Sequence, residues 1–207
     1  MHMNVLIRED QSDILKSRCD EAWTGVDRGV YLLLNESIMP MHTYGDFDSV
    51  SGEEWEYIKT RMAVTPVPAR KDDTDLEMCL HDLVERGYSS IDVYGATGGR
   101  LDHMLGNMFL LMHGDFKKAD IRIIDNQNVM QRLGAGSHEV EKAVGMKYVS
   151  FIPYFSGTKV TLEGFEYDLD ERVLSLGSTL TISNEFVKSP AKVRTNEPLI
   201  MIQSKDD

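Results

Sequence analysis

Two acidic segments, Gly45-Asp46-Phe47-Asp48-Ser49 and Lys71-Asp72-Asp73-Thr74-Asp75, carry carboxylates in D-x-D and D-x-x-D spacing. Asp72 and Asp75 are three apart, so one helical turn sets them on the same side. A hard cation such as Mg2+ takes octahedral oxygen ligands, usually one or two carboxylates completed by waters and substrate phosphates. Two strand-end loops bearing Asp46, Asp48, Asp72 and Asp75 could meet around such an ion. Each motif alone also suits a turn or a helix N-terminus, where capping and the helix dipole favour Asp. Their occurrence together is what points to a site.

A third segment, Gly95-Ala96-Thr97-Gly98-Gly99-Arg100-Leu101-Asp102-His103, joins a strand-like run to a helix-like one. Glycines let a backbone approach a ligand closely, and a helix N-terminus attracts phosphate. The dinucleotide fingerprint does not fit, because Leu101 stands where its third glycine belongs and the loop follows a late strand. No G-x-x-x-x-G-K-[ST] loop is present either. On a helix, Arg100, His103 and Asn107 fall within about 60° of one another, and the apolar Leu101, Met104, Leu105 and Met108 lie on another face. Arg100 can fork onto a phosphate, while His103 and Asn107 can hydrogen-bond a base, a ribose or a phosphate.

These segments need a scaffold that collects strand ends, and the pattern around them supplies one. Val5–Ile7, Ala22–Val26, Met41–Tyr44, Ile91–Tyr94 and Ile121–Ile124 read as strands. Ser51-Gly52-Glu53-Glu54 is a capping box that predicts a helix from Ser51 to about Arg61. Leu76, Cys79, Leu80, Leu83 and Val84 recur at helical spacing, with Gly87 as the stop. The run from Arg100 to His113 is helical by the same test. Alternation of strand and helix implies a largely parallel sheet, and ligands of such sheets collect at the carboxyl ends of the strands. Ala63–Ala69, with Pro66 and Pro68, is extended but unsuited to a central strand. After Leu133–Ser137 only short β-branched runs remain, at Tyr148–Tyr154, Lys159–Leu162, Ser178–Ile182, Lys192–Arg194 and Leu199–Gln203. The expected architecture is an α/β N-terminal domain with a mostly parallel sheet, over 1–133, followed by a smaller all-β, antiparallel, sandwich-like C-terminal domain over 134–207.

The 207 residues carry 22 Lys+Arg against 34 Asp+Glu, a formal net charge of -12. Nucleic acid and anionic membranes both need a basic footprint, so neither is expected as a partner. A phosphorylated substrate stays possible, since a divalent metal inverts the local field. The apolar stretch around Met108–Met112 is far short of the roughly 20 residues a membrane helix needs. Charged residues at Arg8, Glu9 and Asp10 interrupt any secretory signal core. Cys19 and Cys79 form no C-x-x-C pair and suit a reducing cytoplasm.

The ordered set Gly-Asp-Phe-Asp-Ser at 45–49, Asp-Asp-Thr-Asp at 72–75, Gly-Ala-Thr-Gly-Gly-Arg-Leu-Asp-His at 95–103, Asn107, and Ser-Asn-Glu-Phe at 183–186 resembles bacterial-type thiamine pyrophosphokinase. The resemblance spans nearly the whole chain. It implies transfer of a pyrophosphoryl group from Mg-ATP to the thiamine hydroxyl, giving thiamine diphosphate and AMP, by a homodimer with sites at the subunit junction. Catalytic roles fall by this resemblance to Asp46, Asp48, Asp72, Asp75 and Arg100, with Asp46, Asp48 and Asp75 as Mg2+ ligands. Asp27, Lys71, Arg100, Asp102, His103 and Asn107 are the expected ATP contacts. Thr181, Ser183, Asn184, Tyr167 and Phe186 are the expected thiamine contacts. Tyr167 and Phe186 suit a flat aromatic cation through stacking and cation–π attraction, although for either alone a core role is the better reading. In Gly164-Phe165-Glu166-Tyr167-Asp168-Leu169, Glu166 and Asp168 depart from the family's Lys and Pro. Asp27-Arg28-Gly29 matches the family's early A-D-G-G loop only partly. Asp46, Asp72 or Asp75 could accept the hydroxyl proton. Two other readings use the same residues: a metal-dependent phosphohydrolase acting on a nucleotide or phosphoester, and a non-catalytic thiamine- or nucleotide-binding module.

Overall fold

The computed structural model describes residues 1–8, 12–64 and 73–206. They form two compact units: Met1–Leu110 with Lys118–Ile121, and Leu111–Lys117 with Arg122–Asp207. The division falls ahead of the composition change near Leu133, because Arg122, Ile123 and Ile124 pair antiparallel with Gln131, Met130 and Val129.

The first unit runs β1 (His2–Leu6), α1 (Ser12–Ser17), β2 (Trp23–Val26), α2 (Arg28–Asn35), β3 (His42–Tyr44), α3 (Gly52–Arg61), α4 (Asp75–Glu85), β4 (Ser90–Tyr94) and α5 (Leu101–Leu110). Its strands lie parallel in the order β4-β1-β2-β3. β1, β2 and β4 are buried along nearly their whole length, as expected of a parallel sheet covered on both faces. The Ser51 capping box forms: Ser51 accepts from the Glu54 N–H at 3.2 Å, and Glu54 accepts from the Ser51 N–H at 3.0 Å. Leu76, Cys79, Leu80 and Leu83 are the buried face of α4. In contrast, α5 buries none of its residues, and Leu101, Leu105 and Phe109 are exposed.

Helix α2 has no counterpart among the expected elements. It follows Asp27 directly, and Val30, Leu33 and Leu34 pack inward from it. Gly29 allows this close approach. A Cβ there would stand 2.0 Å from the Leu6 carbonyl oxygen and 2.7 Å from that of Ile7. Gly29→Ala should therefore force the helix off the strand ends, at a cost of about 3 kcal/mol. For a chain of this size that lowers Tm by roughly 6–12 °C, which differential scanning calorimetry would read.

The second unit contains the end of β5 (Asp120–Ile124), then β6 (Asn128–Leu133), β7 (Gly136–Val140), β8 (Tyr148–Pro153), β9 (Thr158–Glu163), β10 (Leu169–Leu174), β11 (Asn184–Glu185), β12 (Ala191–Thr195) and β13 (Leu199–Ser204). Two antiparallel sheets result, ordered β11-β8-β13-β6-β5 and β10-β9-β12-β7. Phe151, Val160, Leu162, Leu174, Val193 and Met201 belong to one apolar cluster between them, so the unit is a sandwich. Ser178–Ile182 is a turn segment, not the expected strand. Its Thr181 is buried and bonds Phe151 through both its hydroxyl and its carbonyl oxygen, which satisfies the backbone without a ladder.

Candidate active site

Because β1, β2, β3 and β4 run parallel, the segments that follow them emerge at one end of the sheet. Asp27 follows β2, Asp46 follows β3, the glycine loop follows β4, and Asp75 opens α4, the helix that returns the chain to β4. Carboxylate oxygens of Asp27, Asp46 and Asp75 lie within 4.8 Å of one another. The expected metal set was Asp46, Asp48 and Asp75. Asp46 and Asp75 of that set lie in this group with Asp27, while Asp48 is exposed and lies outside it. Asp72 and Lys71 lie outside the described residues.

The backbone supports this convergence. Asp27 has φ 48 and ψ -121, a conformation rare for a residue with a side chain and of the kind found at functional sites. Its N–H donates to the Tyr44 carbonyl at 2.9 Å, and its Oδ1 accepts from the Phe47 N–H at 3.3 Å. Gly45, at φ +123, makes room for it: a Cβ there would be 2.0 Å from Asp27 Oδ1. Asp46 Oδ1 accepts from the Asp48 N–H at 3.0 Å and stabilises the loop. Thr74 caps α4 through the Glu77 N–H.

Electrostatically, the trio is crowded. Burial pushes the Asp27 carboxyl up to about 7, and the charges of Asp75, Asp46 and Asp48 add to this against the Phe47 N–H. Asp75 is also raised, first by burial and then by Asp46 and Asp48. Asp75 Oδ1 is buried without a hydrogen-bond partner among the described residues. An orphaned carboxylate oxygen beside two further carboxylates is the donor set a hard divalent cation takes, so the residues fit Mg2+.

The metal-free fold holds a proton on Asp27 that the unfolded chain has already lost above its ordinary pKa of 3.8. Stability contributed by this group is thus present near pH 4 and declines as pH rises to about 7. The expected difference between wild type and Asp27→Asn is about 2 kcal/mol after allowance for the group's partial exposure. Urea midpoints in chelator at pH 4.5 and 8 would show it, with wild type losing ground to the variant at the higher pH.

The glycine loop holds its shape through positive φ at Gly95, Gly98 and Gly99 and two side-chain braces. The Asn107 amide donates to the Ala96 carbonyl at 2.9 Å, so Asn107 supports the loop. Arg8, at the end of β1, donates to the Gly98 carbonyl at 2.9 Å. Nothing in the sequence spacing marks Arg8 for this. Arg100 is exposed and paired with Asp102 at 2.5 Å, holding that carboxyl down at about 2. His103 is exposed beside them.

In the second unit the expected thiamine contacts separate by role. Asn184 is buried, donating to the Tyr167 carbonyl at 2.9 Å and accepting from its N–H at 3.0 Å. Thr181 is buried against Phe151. Phe186 packs on Phe165 with ring centroids 5.1 Å apart, beside the sandwich core. Tyr167 leaves its ring 64% exposed, and Ser183 is exposed at φ 58. Tyr167 and Ser183 are therefore the open positions, presented by a backbone that Asn184 holds.

The profile described as "Thiamin pyrophosphokinase, catalytic domain" matches residues 16–124. The one described as "Thiamin pyrophosphokinase, vitamin B1 binding domain" matches residues 137–200. The chain is 41% identical over 187 residues to the thiamine pyrophosphokinase of Bacillus subtilis (strain 168), covering 89% of this chain and 87% of that one. The crystal structure of thiamine pyrophosphokinase from Bacillus subtilis superposes with a TM-score of 0.92 at 38% identity, covering all of both chains. That of thiamin pyrophosphokinase from Geobacillus thermodenitrificans gives 0.89 at 36% identity, covering 100% of this chain and 99% of the other.

Proposed function

The chain belongs to the thiamin pyrophosphokinase family, and from that premise we propose that it transfers a pyrophosphoryl group from ATP to thiamine and that Asp27, Asp46 and Asp75 would hold Mg2+. The products are thiamine diphosphate and AMP. The observation that carries the proposal is the convergence of the three carboxylates at the carboxyl ends of the strands, with Asp75 Oδ1 buried and without a hydrogen-bond partner among the described residues. A metal ion there supplies charge neutralisation for the triphosphate. Transfer of this kind asks little covalent chemistry of a protein and depends on positioning and electrostatics.

The remaining residues take roles that follow from their surroundings. The glycine loop and the start of α5 offer backbone N–H groups for phosphate. Arg100 exchanges its exposed partner Asp102 for a phosphate oxygen, which suits its forked guanidinium. Thiamine's hydroxyl oxygen attacks the β-phosphorus, the bond between that phosphorus and the bridging oxygen to the α-phosphorus breaks so that AMP leaves, and Asp46, Asp72 or Asp75 accepts the hydroxyl proton. Tyr167 and Ser183 are the thiamine contacts, while Thr181, Asn184 and Phe186 hold the segment that presents them. Lys71 and Asp72 retain the ATP-binding and catalytic roles that their motif implies, as do Asp48 and His103 beside the metal seat and the glycine loop.

We also propose a homodimer. Its support is the row of exposed apolar residues Leu101, Leu105 and Phe109 on α5, an exposed patch that a protein–protein contact would cover. A cytoplasmic setting is supported by two free cysteines. No helix of the described residues is long and apolar enough to cross a membrane.

The test is a chromatographic assay of purified chain with ATP, with and without thiamine and Mg2+. AMP and thiamine diphosphate should appear together, and only when both are present. Phosphate release independent of thiamine would instead support the phosphohydrolase. Binding of both ligands without turnover would support the binding module.

A further inference from the structure

We infer that Tyr44 is a positioning residue for the acidic trio, linking through its backbone and its hydroxyl the three segments that carry Asp27, Asp46 and Asp75. The inference rests on the reading of that trio as the metal seat.

Tyr44 is the last residue of β3 and is buried. Its carbonyl oxygen accepts the Asp27 N–H at 2.9 Å, which fixes the strained residue at the end of β2. Asp46 lies two residues further along the chain. The Tyr44 hydroxyl donates to Asp82 Oδ2 on α4. The same oxygen accepts from Arg86 Nε at 2.5 Å. Asp82 stands seven residues after Asp75 on one helix, so the two lie on nearly the same face about 10 Å apart. The bond from Tyr44 to Asp82 therefore ties the helix bearing Asp75 to the strand that leads into Asp46.

Chemistry makes this link strong. The Tyr44 hydroxyl is the donor and Asp82 Oδ2 the acceptor of this bond. The Arg86 and Tyr44 hydrogen bonds outweigh burial at Asp82 and keep its carboxyl below the usual range. A protonated phenol facing an ionised carboxylate forms a charge-assisted bond, shorter and stronger than a neutral one. The tie matters here because the three carboxyl groups sit on separate segments, Asp75 on α4 and Asp46 just past β3, and this hydrogen bond joins those two segments. Outer groups that orient metal ligands typically contribute 10–100-fold in metal affinity.

The experiment titrates Mn2+ into the full chain without nucleotide, following loss of the free-ion signal by electron paramagnetic resonance. It compares wild type, Tyr44→Phe, Asp82→Asn and the double variant, with circular dichroism to confirm that each is folded. Tyr44→Phe keeps the buried ring and removes only the hydroxyl. Asp82→Asn is the independent second variant should that one fold poorly. Each single change should weaken Mn2+ about 10-fold. The double variant should be no weaker than the worse single, because both break one link. In steady state the Mg2+ needed for half-maximal rate should rise in parallel while the thiamine KM stays unchanged. Lower Tm with unchanged Mn2+ affinity in folded variants would overturn the inference and leave Tyr44 a packing residue. Failure of wild type to bind Mn2+ would overturn the reading of the trio as the metal seat, and the inference with it.

Discussion

Asp75→Asn should lower kcat/KM by about 10²–10³-fold, the scale set by removal of one group that stabilises transition-state charge. The same change should raise the stability of the metal-free protein by about 1 kcal/mol. Both effects have one origin. Asp75 has a buried oxygen with no hydrogen-bond partner among the described residues and is crowded by Asp46 and Asp48. That arrangement costs stability in the empty fold and becomes favourable only when a cation is bound. Urea unfolding in chelator and steady-state kinetics in Mg2+ would therefore move in opposite directions. If stability falls along with activity, Asp75 supports the fold and is not held there against its own repulsion.

The second large effect is expected at Gly45→Ala. Its φ of +123 lies where an alanine is strained, and the new Cβ would stand 2.0 Å from Asp27 Oδ1 and 2.9 Å from Asp27 Cγ. Something must move, and what moves is the carboxylate of the trio or the loop carrying Asp46. A misplacement of about 1 Å is enough to cost roughly 10²-fold in rate, and the backbone strain adds about 1–3 kcal/mol of instability. Gly52→Ala is the control. Gly52 lies in the first turn of α3 with nothing within 4 Å of its added Cβ, so both activity and Tm should stay near wild type. Equal loss in the two variants would show that the Gly45 contact with Asp27 is not what matters.

Local signals in the sequence were enough for several elements and failed for others for definable reasons. The capping box at Ser51 and the spacing of Leu76, Cys79, Leu80 and Leu83 are short-range patterns, and both produce the helices they predict. Helix α2 carries its own spacing in Val30, Leu33 and Leu34, but its start is hidden. Asp27 is an N-cap residue type, but it stands at positive φ and its side chain accepts from the Phe47 N–H instead of capping the helix. β10 is also hidden, since it reads Leu-Asp-Glu-Arg-Val-Leu, is mostly exposed and has its register shifted between Leu169 and Arg172. Ser178–Ile182 misleads in the other direction, because β-branched composition is overridden by the bonds from Thr181 to Phe151.

The site was legible in type more than in membership. Acidic motifs at strand ends marked Asp46 and Asp75 directly. The proximity of Asp27 to Asp46 and Asp75, on which the proposed metal seat rests, depends on the parallel pairing of β2 with β3, which no spacing within either loop reveals. Asn107 was legible as part of the polar stripe, but not that its amide braces the Ala96 carbonyl. The contacts that make Arg8 and Tyr44 matter to the site are long-range, from Arg8 to Gly98 and from the Tyr44 hydroxyl to Asp82.

The central claim is that the chain moves the β- and γ-phosphoryl groups of ATP as one unit to thiamine. The most direct test uses ATP labelled either at the α- or at the β-phosphorus, with Mg2+ and thiamine, and chromatographic separation of the products. The β-label should appear in thiamine diphosphate and the α-label in AMP. Recovery of the β-label in ADP, with thiamine monophosphate as the other product, would contradict the account.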